Sequence, residues 1–262
     1  MTETATTCTD QVVELAGIQL HLSRGGSGDP LLVLHHDIGS PGWLPFYRQL
    51  AERFEVIVPS HPGYDRSSRP DWLRSVRDVA VVYQWLLAEL GIDGVTLVGL
   101  GFGGWIAAEM ATMAPRGFRA LVLVGAMGIR PDDGEILDQA LMNYIEYARA
   151  GFHDQRAFDE VYGREPSTDQ LETWDVNREM SFRIAWKPYM YSQTLPHLLG
   201  GVRTPALVVW GSEDRIVPRS CAERYARSLP NARLEIVEGA GHCVDMERPT
   251  ELSALIERFV TG

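Results

Sequence analysis

Three stretches carry residues that could do chemistry. Val95 to Ala111, VTLVGLGFGGWIAAEMA, holds glycines at 99, 101, 103 and 104, small residues that let a strand turn sharply into a packed helix. Gly211 to Pro218, GSEDRIVP, puts the Asp214 carboxylate on a loop, and Gly239 to His242, GAGH, puts an imidazole on another. A histidine and a carboxylate on loops beyond strands are the residue types that a general base and its orienting partner require.

The glycine turn fits two chemistries. Gly99, Gly101 and Gly104 satisfy the dinucleotide fingerprint G-x-G-x-x-G, and Gly99 and Gly103 frame a nucleophile elbow, G-x-S-x-G, with Gly101 at its centre. A dinucleotide site calls for a carboxylate at the end of the next strand to hold the ribose, and here that strand ends in Val124-Gly125. The turn also follows several strands instead of the first. The ordered set of elbow, Asp and His therefore favours the second chemistry, with the nucleophile position held by a residue that has no side chain to attack with.

The elements that must position these residues alternate. Leu31 to Leu34, Val56 to Val58, Val95 to Val98, Ala120 to Val124, Ala206 to Trp210 and Arg233 to Val237 read as buried strands. Between them, Phe46 to Phe54, Ser75 to Leu90 and Ile106 to Met113 carry helical patterns, and Glu251 to Val260 closes the chain as an amphipathic helix. Such alternation predicts a mostly parallel sheet flanked by helices. The rhythm stops from about Arg130 to His197, an acidic, aromatic stretch read as a helical insertion. The expected division is a core of residues 1–129 and 201–262 with a helical insertion at 130–200.

Composition limits the partners. The 262 residues are 45% hydrophobic and 23% charged, with a formal net charge of -11, a field that repels nucleic acid and anionic membranes and suits a small-molecule substrate. Cys8, Cys221 and Cys243 are too few and too scattered for a disulfide framework or a metal site. The polar start, Met1 to Asp10, has no export pattern, and no apolar run is long enough to span a membrane. The expectation is a cytoplasmic protein, monomer or homodimer, with neither metal nor cofactor.

The chain resembles the α/β-hydrolase family over nearly its whole length, and within it the cap-bearing esterases, epoxide hydrolases and carbon-carbon bond hydrolases. The matching pieces are Leu34-His35-His36-Asp37-Ile38-Gly39 at the oxyanion loop, His61-Pro62-Gly63-Tyr64-Asp65-Arg66-Ser67, the elbow, and the Asp214 and His242 loops. The resemblance implies an α/β-hydrolase fold with residues 130–200 as its cap. It also implies that Asp214 orients His242, and that the backbone N–H groups of Asp37 and Phe102 form an oxyanion hole. Two positions depart from the family pattern: Gly101 replaces the nucleophile, and His36 replaces a loop glycine.

The functional expectation is a hydrolase of small activated carbonyl compounds, of ester, lactone or carbon-carbon diketone type, in which His242 and Asp214 activate water directly. The alternatives are a non-catalytic ligand-binding or regulatory protein on a hydrolase scaffold, and a lyase using His242 only for proton transfer. Gly101 is read either as a native vacancy or as the replacement of a serine. His35, His36, Trp186 and Tyr189 are candidates to line the pocket, with His35 also suited to bracing its loop. Cys243 is expected to point away from His242, Glu109 to make a polar contact, and Arg178, Arg183 and Lys187 to be solvated charges more than substrate ligands.

Overall fold

A computed structural model describes residues 8–262; the polar stretch 1–7, part of the N-terminal segment without an export pattern, lies outside them. Eight strands build one sheet: β1 (Cys8–Leu15), β2 (Ile18–Gly25), β3 (Asp29–Leu34), β4 (Phe54–Pro59), β5 (Thr96–Leu100), β6 (Ala120–Val124), β7 (Ala206–Gly211) and β8 (Ala232–Val237). Their order is β1-β2-β4-β3-β5-β6-β7-β8. β2 pairs antiparallel with β1 and β4, and every other neighbouring pair is parallel.

The sequence reading placed the parallel strands and missed the first hairpin. Its signal is the alternation of β2, whose Ile18, Leu20 and Leu22 are buried, joined to β1 through Ala16-Gly17, both at positive φ. A two-residue turn of this kind matches the twist of antiparallel strands.

The central strands are buried on both faces. In β3, Leu32 and Leu34 join one apolar layer while Leu31 and Val33 join the other, as a two-residue period requires. The first layer packs under α2 (Val76–Glu89) and α3 (Phe102–Met113), with α8 (Arg219–Ser228) farther along. The second packs under α1 (Pro45–Leu50) and α10 (Pro249–Thr261), preceded by the single turn α9 (Val244–Glu247). α2 starts where the sequence expects it: the Ser75 side chain accepts from the Asp78 N–H, and the Asp78 carboxylate accepts from the Ser75 N–H. This reciprocal cap is worth about 1 kcal/mol.

The chain runs from β3 outward to β4 and returns to β5 on the other side of β3. This reversal opens a crevice beyond the carboxyl ends of β3 and β5, the usual place for a ligand in a sheet of this type. The loop after β3 carries His35 to Gly39, and the turn after β5 carries Gly101.

Between β6 and β7 lie α4 (Tyr144–Ala150), α5 (Gln155–Tyr162), α6 (Thr168–Ala185) and the short α7 (Leu195–Leu198). Polar bonds tie this segment to the crevice loops. Asn177 on α6 donates to the Asp65 carboxylate and accepts from the Asp65 N–H, both at 2.9 Å. The Tyr64 and Ser181 hydroxyls meet at 2.9 Å, and the Tyr147 hydroxyl on α4 donates to the Asp37 carboxylate at 2.7 Å. Among the described residues no helix is long and apolar enough to cross a membrane.

Candidate active site

Gly101 sits between β5 and α3 with φ +52° and ψ -111°, a left-handed region that costs an L-residue about 1–2 kcal/mol. The turn is held by its own backbone: the Gly101 N–H donates to Val124 at 2.8 Å, and its carbonyl accepts from Gly104 and Met127, each at 3.0 Å. Gly103 is required for a different reason, since a Cβ there would collide with the Leu34 carbonyl.

The atoms around the vacancy are two imidazoles. A Cβ built at Gly101 would lie 2.7 Å from His242 Nε2 and 2.6 Å from His36 Nδ1. Both nitrogens are buried, and among the described residues neither has a hydrogen-bond partner. The rings stand with centroids 5.1 Å apart.

His242 follows β8 and donates from Nδ1 to Asp214 Oδ2 at 2.9 Å. Asp214 is itself fixed, because its other oxygen accepts from the backbone N–H groups of Ile216 at 2.8 Å and Val217 at 2.9 Å. Burial disfavours a charge on the His242 ring, but the Asp214 carboxylate and its hydrogen bond, with Asp37 and Asp245 nearby, outweigh it. The ring is held above the usual histidine range.

His36 has a carboxylate of its own. Its Nε2 lies 2.8 Å from Asp245 Oδ1, and both side chains are buried. The sequence reading missed Asp245, which sits on α9 three residues after His242 and carries no motif. Its one available signal is an acidic residue predicted to be buried beside a functional loop.

The amides of Asp37 and Phe102 flank the same point along the chain, and among the described residues neither N–H is taken up by a backbone hydrogen bond. His36, Asp37 and His242 line one small chamber with Ile38, Tyr147, Ala148, Gly151, Ile216 and Cys243. It measures about 10 Å³, room for about one water molecule. Roomier depressions lie on the surface; one of about 490 Å³, bordered by Ser40, Trp43, Arg66 and Thr173, shares Ile38 with the chamber.

The other candidates lie elsewhere. His35 stacks on His61 at 3.7 Å, donates to the His36 carbonyl and accepts from the His61 N–H, so both its nitrogens are used in bracing the loops after β3 and β4. Trp186 is 45% exposed and lines an outer depression with Glu179, Phe182 and Arg183. Tyr189 uses its hydroxyl on the backbone of Leu137 and Gln139. An aromatic side chain supplies packing area wherever it falls, so residue type alone does not place it in a pocket. Arg178 and Arg183 donate to backbone carbonyls of Met142, Asp71 and Leu73. Glu109 accepts from Arg77 and Trp105. Burial pushes the Cys243 thiol well up, and the carboxylates of Asp245 and Glu247 push it further, so it stays protonated.

With this geometry in view, the relatives fall into place. A model of the alpha/beta hydrolase family matches residues 31–255, and the chain belongs to that family. It is 32% identical over 249 residues to the polyketide synthase ThaQ of Burkholderia thailandensis, covering 90% of this chain but only 12% of the synthase. It is 26% identical to 2-hydroxy-6-oxononadienedioate/2-hydroxy-6-oxononatrienedioate hydrolase 1 of Dechloromonas aromatica, over 93% of this chain and 91% of that one. In fold it is similar to a meta-cleavage product hydrolase from Pseudomonas fluorescens IP01, with TM-score 0.82 and 22% identity over 96% of this chain and 97% of that chain. The chain is thus a hydrolase-type member of the family.

Proposed function

We propose that the protein hydrolyses small activated carbonyl compounds with a water molecule in place of a side-chain nucleophile. The observation that carries this reading is that His242, whose Nε2 is buried without a partner among the described residues, lines a chamber of about one water's size beside Gly101. A water oxygen in that chamber is within hydrogen-bond reach of a ring already oriented by Asp214. His242 takes a water proton, Asp214 stabilises the imidazolium, and the Asp37 and Phe102 amides receive the developing oxyanion. Direct attack by water avoids a covalent intermediate and suits an electrophilic ester, lactone or vinylogous diketone. The name of the Dechloromonas relative, an oxo-dienedioate hydrolase, favours the diketone class among these.

Residues 130–200 act in this reading as the cap, supplying Tyr147 and Gly151 to the chamber. A chamber of one water's size means that α4 shifts outward to admit substrate. The acidic charge and the sparse cysteines fit a cofactor-independent cytoplasmic protein, monomer or homodimer, acting on a small molecule.

One observation favours a second reading. His36 crowds the nucleophile point at 2.6 Å, which suits a scaffold that binds ligand without turnover. A hydrolysis screen over activated esters, lactones and vinylogous diketones separates the two. Turnover that falls by roughly a thousandfold in His242→Ala supports the water mechanism; absence of turnover from every class rejects it in favour of binding.

A further inference from the structure

We infer that His36, held by Asp245, is a second proton acceptor, and that it grips the attacking water together with His242 in the chamber beside Gly101. The inference rests on the hydrolytic reading above and adds a residue to its chemistry. A carboxylate only accepts hydrogen bonds, so each Asp–His contact fixes a tautomer. His36 carries its proton on Nε2, toward Asp245 Oδ1 at 2.8 Å, and presents the Nδ1 lone pair to the vacancy. His242 carries its proton on Nδ1, toward Asp214, and presents Nε2. The two nitrogens lie 2.6 and 2.7 Å from a single Cβ position, and so no farther apart than one bridging water can span; among the described residues no donor satisfies either.

Water is the smallest molecule with two donors. Placed there, it gives one O–H to each ring, which satisfies both nitrogens and leaves its own lone pairs free for a carbonyl carbon. Two imidazoles fall short of a cation cage, and among the described residues no group of three His, Cys, Asp or Glu is arranged to hold a metal.

The step balances without a co-reactant. The water oxygen bonds to the carbonyl carbon, one water proton moves to His242 Nε2, and the C=O pair moves onto the oxygen at the Asp37 and Phe102 amides. The C=O bond re-forms as the bond to the leaving group breaks, and His242 returns its proton to that group. The remaining O–H proton passes to His36 Nδ1, so the product departs as a carboxylate and His36 releases the proton to solvent. A glycine at position 36 could not perform this last transfer.

Two readouts test the pair. Imidazole ¹⁵N spectra of the metal-free protein at alkaline pH are expected to give the Nε2–H tautomer for His36 and the Nδ1–H tautomer for His242. His36 found as Nδ1–H overturns the inference, whether or not a substrate is known. So does Zn²⁺ taken up by both rings at stoichiometric concentration, which makes the point a cation site.

In the second, the acid side of the rate profile is followed in wild type and in His36→Asn, whose amide oxygen can hold the water but cannot take its proton. His36 faces Asp245 and His242, with His35 and His61 behind it, and His242 faces Asp214, Asp37 and Asp245. Tyr147 and Cys243 remain protonated across this range because burial pushes both up. His36→Asn is expected to lower the rate at least tenfold while the acid limb set by His242 persists. An unchanged rate in His36→Asn, with His242→Ala still inactive, overturns the second acceptor and leaves the hydrolytic reading standing. A circular dichroism melt of each variant keeps loss of fold distinct from loss of chemistry.

Discussion

The two His–Asp pairs that meet at Gly101 are built to different standards. Asp214 accepts three hydrogen bonds, two from backbone amides and one from His242. Among the described residues Asp245 accepts one, from His36, and its second oxygen is buried without a partner. A carboxylate locked by backbone donors cannot turn, so it imposes one tautomer and one ring orientation on its histidine. A carboxylate held by a single bond still selects a tautomer but constrains the orientation of its histidine less. The difference assigns the demanding task, deprotonating water, to His242 and a supporting task to His36.

The sharpest way to break this comparison is Asp214→Asn. The new amide keeps its oxygen on the Ile216 and Val217 N–H groups and turns its NH₂ to the ring. His242 Nδ1 must then accept, and Nε2 presents a proton to the water instead of a lone pair. Turnover is expected to fall by roughly 10²–10⁴-fold.

The pH profile moves as well. In the wild type burial opposes the charged ring, but Asp214 holds His242 above the usual range, so activity is lost as pH falls through that raised value. Without the carboxylate the raising cause is gone and burial remains. The acid limb of the residual rate slides to lower pH, and a limb that stays in place excludes His242 as the group being titrated.

The next effect concerns the vacancy the two pairs share. Gly101→Ser puts a Cβ at 2.6 and 2.7 Å from the ring nitrogens on a backbone at φ +52°. The left-handed backbone alone costs about 1–2 kcal/mol of stability, read as a lower denaturant midpoint. His36 occupies the space the hydroxyl needs, so the single variant is expected to resist labelling by a fluorophosphonate. Combining it with His36→Gly opens that space, and the double variant should label. Ready labelling of the single variant would mean that His36 swings aside easily and does not hold a fixed position opposite His242.

Much of this arrangement is legible in the sequence because the chemistry of the first pair follows strands. Asp214 and His242 lie on loops after β7 and β8, and each loop is marked by glycines that a sharp turn demands. The apolar runs that became β3 to β8 are short, buried and separated by helical periods, so their pattern is strong. The hairpin of β1 and β2 alternates polar and apolar residues at one edge of the sheet and gives a weaker signal. Asp245 is hidden for a different reason: it lies in a single turn of helix, and only the return of that turn against the loop after β3 makes it a partner for His36. Tyr147 is obscured in the same way, as one of many aromatics in a segment whose packing no local pattern reveals.

The smallest expected effect, and the one that most refines the comparison, comes from Asp245→Asn. Among the described residues no backbone N–H holds this carboxylate, so none dictates the orientation of the new amide. It can turn its oxygen to His36 and accept the Nε2 proton, which preserves the tautomer that Asp214→Asn destroys. What disappears is the charge that supports a proton arriving at Nδ1. Turnover is therefore expected to fall by roughly tenfold, about 1.4 kcal/mol in transition-state energy, with the His242 limb little changed. The fold should tolerate the change, since the amide removes a buried charge with an unpaired oxygen. A loss as large as that of Asp214→Asn would show that orientation, and not only charge, passes through Asp245, and the two pairs would then be equivalent. No loss at all would reduce His36 and Asp245 to packing around a site run by His242 alone.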